Sequence, residues 1–468
     1  MSDLTIGRES SGVSARSASN LYRAIWRWHF YAGLLVLPFL LVLAVTGLIM
    51  LYGNSVETFL GPRHSIAPGG ERASFAAQAL VAQNTVPEGR VKMLVVSSAP
   101  DSANLIVVTA KGKDHVVSVD PHGPAVIGTV IKDDTWFYWA DKIHGTLLIG
   151  DVGDWIQEVA AGLGIVLVLT GVYLWWPRNG RSLRAALVPN LTARGRVFWK
   201  ELHQATGFFF AVVLVFFFVT GLAWTGVWGK KIVQAWSSFP AAKWDNVPLS
   251  DAKHADMNHG ALKEVPWALE QTAMPASGSK AGSNGIPAGA AVDLDSIAAL
   301  ARRIGFNEQF RVNTPVGKEG VYTISADSMD GDTTDPTGDR TVHVDQYNGK
   351  ILAEVRFGDY SLAGKAMAVS IALHQGNLGL WNTALNLLVC VAVIFMTVSG
   401  AVMWWKRRPA GRIGVPAYPR NYRSPAAIVV IAAIVCVLFP LTGIAIIVLG
   451  LIDFLLPRRV KEAAIMQG

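Results

Sequence analysis

The chain has 468 residues, 51% of them hydrophobic and 16% charged, and its 41 Lys and Arg against 34 Asp and Glu leave a formal charge of +7. That is too apolar for an ordinary soluble protein, and too often broken by polar stretches for one buried wholly in lipid. The two cysteines, Cys390 and Cys436, both fall inside apolar runs, which excludes a disulfide framework, a Cys-ligated zinc and an iron–sulfur cluster.

A basic tail, residues 1–26, leads into an apolar run over 27–52, long enough for a hydrocarbon core of about 30 Å. No small-residue cleavage site follows it, so it reads as an uncleaved signal anchor. His29 opens this first span and Thr46-Gly47 lies near its end. Residues 53–154 read as an α+β module: a helix over Ser74–Thr85, strands over Arg90–Ser98, Asn104–Gly112 and His115–Asp120, and a turn at Asp120-Pro121-His122-Gly123. The module ends in an interfacial link carrying His144. A second span, 155–176, contains Thr170-Gly171 and closes on Trp175-Trp176.

A basic link, 177–202, precedes the third span, 203–228, which His203 opens and which contains Thr220-Gly221. Residues 229–290, rich in Ala, Gly, Ser and Pro, read as a flexible linker without a core. A second α+β module, 291–380, predicts a helix over Leu294–Gly305 and strands over Phe310–Thr314, Gly320–Ala326, Arg340–Asp345 and Lys350–Phe357, with the turn Asp345-Gln346-Tyr347-Asn348-Gly349. It ends in a link carrying His374. The fourth span, 381–405, contains Ser399-Gly400 and closes on Trp404-Trp405. After a basic loop, 406–424, the apolar stretch 425–456 is interrupted by Pro440 and Gly443. One kinked helix is slightly favoured there over a re-entrant hairpin. Residues 457–468 form a tail.

The basic clusters before span one, between spans two and three, and after span four set topology rather than mark a nucleic-acid partner. The positive-inside rule puts them in the cytoplasm and both modules outside. The halves also repeat. Thr46-Gly47 stands as far beyond His29 as Thr220-Gly221 beyond His203, and His144 and His374 each precede a span ending in a Trp pair. A duplicated helix–module–helix unit places one histidine near the same end of each equivalent helix.

Imidazoles paired across a helical bundle hold a b-type haem. Same-depth pairing gives two bis-His sites: His29 with His203 at the cytoplasmic side, and His144 with His374 near the outer surface. At 1.5 Å per residue, His29 to Thr46 spans about 26 Å. Each Thr/Ser-Gly step is then level with the site held by the other two helices. Gly47, Gly171, Gly221 and Gly400 would let a flat macrocycle approach the backbone, or simply let helices pack closely. Arg23 and Arg27, with Arg178, Arg181, Lys200 and Arg407, would meet the inner propionates, although topology alone also explains them. His64, His115, His122 and His343 sit in strands, turns or loops with no expected partner. His254-Ala-Asp-Met-Asn-His259 offers two imidazoles, a thioether and a carboxylate to a passing metal.

A module ending in a hydrophobic-Asp-x-x-x-Gly turn, then Leu/Ile-His, then a span ending Trp-Trp-Pro/Lys-Arg, resembles the PepSY-associated transmembrane family. The resemblance covers about residues 20–410, and Pro266-Trp267 belongs to it. The family includes iron-regulated inner-membrane proteins and ferric-siderophore reductases. The resemblance therefore implies a bacterial inner-membrane helical bundle of four core helices plus a C-terminal membrane helix or hairpin, carrying two periplasmic PepSY-like domains. It also implies two b haems passing electrons to a ferric siderophore. No dinucleotide fingerprint or Walker motif is present, and the cytoplasmic loops are too short for a flavin or nicotinamide domain. Electrons would come from a cytoplasmic donor or the quinone pool. The alternatives are a non-redox membrane protein whose modules bind a peptide or siderophore, and a haem conduit for another acceptor such as copper.

Overall fold

The computed structural model describes residues 6–53, 66–67, 69–99, 101–178, 182–233, 246–257, 265–409, 413–416 and 426–465. In chain order the helices are α1 (Ile6–Tyr52), α2 (Phe75–Thr85), α3 (Trp136–Thr146), α4 (Asp151–Trp175), α5 (Leu183–Leu187), α6 (Gly195–Leu222), α7 (Leu294–Arg303), α8 (Leu362–Gln375), α9 (Leu380–Arg407), α10 (Ala426–Leu438) and α11 (Pro440–Ile465). The strands are β1 (Arg90–Val96), β2 (Asn104–Ala110), β3 (Lys113–Val119), β4 (Val126–Ile131), β5 (Leu249–Lys253), β6 (Ala273–Pro275), β7 (Phe310–Asn313), β8 (Val321–Ala326), β9 (Arg340–Asp345) and β10 (Ile351–Arg356). The chain divides into two compact units: residues 1–45, 144–233 and 388–468 form one, and residues 46–143 and 234–387 the other.

The first unit is helical. Residues Asn20–Tyr52 of α1, together with α4, α6 and α9, are long and apolar enough to cross a membrane. Glycines on α4 let its neighbours approach closely, the device that replaces hydrophobic driving force between helices in lipid. A Cβ at Gly164 would lie 2.6 Å from the Phe218 ring of α6, and one at Gly162 would collide with Thr442 of α11. Ala160 and Leu163 of α4 pack with Ala32 and Val36 of α1 and Ile446 of α11. Helix α6 stops at Leu222, short of the expected 228. Backbone N–H groups that leave a helical ladder at membrane depth need another acceptor. Two carboxylates of α4 provide it: Asp154 accepts from Gly226 at 2.8 Å, and Glu158 accepts from Val227 at 3.2 Å and Trp228 at 3.1 Å.

The C-terminal apolar stretch is a helical hairpin, not the single kinked helix favoured from its sequence. Pro440 starts α11 because a missing N–H and a fixed φ are tolerated at a first helical position. A Cβ at Gly443 would lie 2.6 Å from Cys436 Cα, an approach that a continuous helix forbids across seven positions.

The second unit carries the sheet. The two expected modules are not separate: their strands join in one eight-stranded antiparallel sheet of order β10-β9-β8-β7-β1-β2-β3-β4. Strands β1 and β7 meet at its centre, with Leu94 opposite Val312. Had each four-stranded half stood alone, β1 and β7 would present unpaired edges, and pairing them removes both. The period-2 alternation sends Leu94, Val96, Ile106, Val108, Val117 and Val119, and likewise Phe310, Val312, Ile324, Val342 and Val344, to one face. Helices α2 and α7 cover that face through Ala79, Ala82, Ile297, Ala298, Leu300 and Ala301. Asp295 in the first turn of α7 accepts the Phe75 and Ala76 N–H groups at the start of α2, tying the two halves together. The expected turns are alike: Asp120 accepts from His122 N–H at 2.8 Å, and Asp345 from Tyr347 N–H at 2.8 Å.

Residues 229–290 depart from the expected flexible linker. Their described parts form the β5–β6 ribbon, and Val265 and Leu269 are buried with Ala353, Val355 and Tyr360 in a second, smaller core. The Ala/Gly/Ser/Pro-rich stretch is held by specific bonds, such as Gly278 N–H to Asp345 at 2.7 Å and Ser277 Oγ to the Gly320 carbonyl at 2.6 Å. Small residues were needed there because the backbone itself packs closely: a Cβ at Gly282 would lie 2.6 Å from the Ile351 carbonyl oxygen.

Candidate functional site

Four helices of the first unit bring together the inner histidines and two of the small-residue steps. Helices α1 and α6 both begin well before their histidines, so His29 and His203 sit inside regular helix, with rings aimed by the backbone rather than by a loop. His29 Nδ1 lies 2.9 Å from Thr170 Oγ1 of α4. His203 Nδ1 lies 2.8 Å from Ser399 Oγ of α9. The Thr170 hydroxyl donates to the Val166 carbonyl at 2.6 Å, and that of Ser399 to Met396 at 3.1 Å. Each hydroxyl has thereby spent its proton on its own helix and faces the imidazole as an acceptor. Each ring also bonds a backbone carbonyl one turn earlier, Leu167 for His29 and Met396 for His203, and a carbonyl can only accept. The hydrogen-bond network therefore assigns the ring proton to Nδ1 in both and leaves the Nε2 lone pair to bind a metal. In both rings the bond to the hydroxyl is made by Nδ1 and not by Nε2. The two imidazoles are close enough to interact electrostatically.

The glycines beside these hydroxyls face the imidazoles, closely at Gly171 and at ordinary contact distance at Gly400. A Cβ at Gly171 would lie 3.3 Å from His29 Cε1, and one at Gly400 would lie 3.8 Å from His203 Cε1. On α6, the step before Gly221 uses the same local bond, with Thr220 Oγ1 donating to the Phe216 carbonyl at 2.9 Å. The step on α1 places Thr46 in the interior beside Gly47.

His144 repeats the inner pattern. It lies near the end of α3, and its ring bonds the Leu43 carbonyl of α1, one turn before Thr46, as His29 bonds Leu167 one turn before Thr170. Gln157 of α4 holds the His144 carbonyl at 2.8 Å. His374 belongs to the sheet-bearing unit, in the last turn of α8. Its carbonyl accepts from Asn386 Nδ2 at 2.7 Å, and Gly376 ends the helix with a positive φ of 86°. Asn382 reaches back to the Leu373 carbonyl at 2.8 Å, so two asparagines of α9 fix the end of α8.

The basic residues have partners of their own. Arg27 is buried and ion-paired with Asp453 of α11; it also bonds the Pro416 carbonyl, and Tyr31 Oη at 3.0 Å. Asp453, unnoticed because it lies inside the C-terminal apolar stretch, is the ion-pair partner of Arg27. Arg23 is exposed one turn earlier on α1. Arg178 lies over the rings of Tyr22 and Tyr173, and Arg407 over Trp26 and Phe30. Arg181 lies outside the described residues.

One pair was missed. His343, expected to lack a partner, places Nε2 2.9 Å from Nε2 of His254, and both side chains are fully buried. His254 Nδ1 donates to the Thr272 carbonyl at 2.8 Å, which leaves its Nε2 to accept the proton of His343 Nε2. His343 Nδ1 then accepts from the Thr323 hydroxyl at 3.0 Å. The directed chain satisfies two neutral rings. Burial pushes His254 down to about 4, and burial with the neighbouring ring holds His343 well below its ordinary value. The alternation of β9 was the available signal, since His343 lies between core residues Val342 and Val344 and must point to the opposite face. His259 lies outside the described residues.

No curated protein matches the chain significantly. The model of the PepSY-associated TM region matches residues 26–407, most of the chain and all four long helices. The protein is a membrane protein and belongs to that family.

Proposed function

We propose that the protein is a b-type haem carrier of electrons across the bacterial inner membrane, reducing ferric iron held by a siderophore on the periplasmic side. The observation that carries this reading is the inner constellation: His29 and His203 on two membrane helices, each with Nδ1 tied to a hydroxyl and Nε2 facing neither. This donor set fits an iron porphyrin, because neutral imidazoles on separate helices are its usual axial ligands. Bound there, haem would supply one-electron transfer.

The chain's own residues do the rest. Thr170 and Ser399 fix the tautomer and ring plane of the ligands, and their carbonyl neighbours raise ligand basicity, as outer partners of ligating histidines generally do. Apolar helices exclude water and lower the local dielectric. The duplicated spacing extends the reading to His144 and His374 as the outer pair, with the donor a cytoplasmic protein or the quinone pool. Electrons delivered outside would convert Fe(III) to Fe(II), whose lower charge density weakens the grip of a hard-oxygen chelator.

The test is an optical spectrum of the purified full-length protein with and without dithionite. Reduced b-type bands at about two haems per chain are expected. His29→Ala or His203→Ala should remove the inner contribution, and His144→Ala or His374→Ala the outer one together with reduction of a ferric siderophore. A colourless, folded preparation overturns the proposal, as does full haem content in all four variants.

A further inference from the structure

The loop between β8 and β9 concentrates negative charge. Asp327, Asp330 and Asp332 each direct a carboxylate oxygen to one place, and these oxygens lie within 4.8 Å of one another. Asp327 is fully buried and Asp332 nearly so. Arg311 meets this group, ion-paired with Asp330 at 2.5 Å and with Asp332 at 3.1 Å. Three carboxylates thus face one guanidinium, and the surplus is two negative charges.

Two buried oxygens are also unanswered. Asp327 Oδ1 accepts the Asp330 N–H at 2.8 Å, whereas its Oδ2 has no hydrogen-bond partner among the described residues. The hydroxyl of Tyr360, itself only 4% exposed, likewise has no partner, and it lies near enough to Asp339 and Asp327 to feel their charge. A buried carboxylate oxygen without a partner is costly, and the cost grows when other carboxylates adjoin it. A proton would answer one charge, whereas a divalent cation answers both.

We propose that this loop binds one Ca2+ ion through Asp327, Asp330 and Asp332. Calcium takes oxygen ligands at roughly 2.3–2.6 Å in irregular geometry, so its ligand atoms stand within about 5 Å of one another, a limit that the three carboxylate oxygens meet. Magnesium demands shorter bonds and a near-ideal octahedron, which an irregular loop shared with a guanidinium does not offer. The ion would brace a segment that matters to its neighbour: Asn377, just beyond His374, donates to the Ser328 and Met329 carbonyls at 3.1 and 2.7 Å.

The test is calorimetric titration of the chelator-stripped, full-length protein with CaCl2, and in parallel with MgCl2. One equivalent of Ca2+ per chain is expected, with Mg2+ at least tenfold weaker. Asp330→Asn, the substitution at the least buried of the three ligands, should weaken Ca2+ binding tenfold or more. Asp335→Asn, on an exposed carboxylate of the same loop outside the cluster, should leave it unchanged. Absence of saturable Ca2+ uptake overturns the proposal, as does unaltered affinity in Asp330→Asn or a preference for Mg2+.

Discussion

The two halves of this protein treat their helices alike and their sheet modules differently. In the helical unit, His29 meets Thr170-Gly171 and His203 meets Ser399-Gly400 through the same Nδ1-to-hydroxyl bond. In the sheet, the position two before the turn aspartate is Ser118 in β3 but His343 in β9, both fully buried. The first half joins β2 to β3 through Lys111 and Gly112, in tight left-handed conformations. The second half inserts the acidic loop between β8 and β9, and the β5–β6 segment covers its outer face. A geometry shared by both halves points to the common task, whereas features confined to one half point to that half's own stabilisation or regulation.

The largest expected effect tests the shared part. Removing either inner ligand, as His29→Ala or His203→Ala, should abolish the same spectral component, because one iron needs both. If each loss removed a different component, the paired geometry would be broken as an explanation. Next come the hydroxyls. Thr170→Val and Ser399→Ala should each weaken haem retention or electron transfer by roughly 10–100-fold without removing a ligand. A matching shift of midpoint potential in both variants would separate this from misfolding.

The buried His254–His343 pair belongs to the second half alone and predicts an acid sensitivity of the sheet. Both rings have folded values below their unfolded one, so the unfolded chain binds protons first as pH falls. Stability is full above about 6.5 and is lost progressively toward about 4, the value of His254. Between pH 7 and pH 5 the cost is on the order of 2 kcal/mol from His254. Thermal unfolding of the full-length protein should show it, and His343→Gln should flatten the slope by removing one titrating ring. An unchanged melting temperature across that range would sink the account.

The smallest effect distinguishes the two glycines. The tighter approach at Gly171, 3.3 Å against 3.8 Å at Gly400, means that Gly171→Ala should disturb haem binding more than Gly400→Ala. Haem content of the two variants measures it, and an equal loss would make the halves more symmetric than their distances.

Much of this was legible in the residues. Hydropathy located the four long helices, and matched spacings singled out the histidines and the Thr/Ser-Gly steps, because a helix converts sequence separation into depth. Strand alternation located most of the sheet. The partner of Arg27 was not legible, since Asp453 lies in an apolar tail and depends on α10 and α11 forming a hairpin. The His254–His343 bond joins a supposed linker to a strand, and composition suggested nothing ordered at the first of these sites. Loop-rich segments with many small residues read as flexible, yet here they pack backbone against backbone.

The amino-acid order by itself determined membrane insertion and the period of each helix and strand, for these follow from local geometry and the cost of leaving polar groups in hydrocarbon. The tertiary structure decided which hydroxyl caps which imidazole, the fusion of two modules through β1 and β7, and the convergence of three aspartates on one point. Those outcomes depend on contacts between segments far apart in the chain, where the close approach of side chains, rather than any local preference, selects the partner.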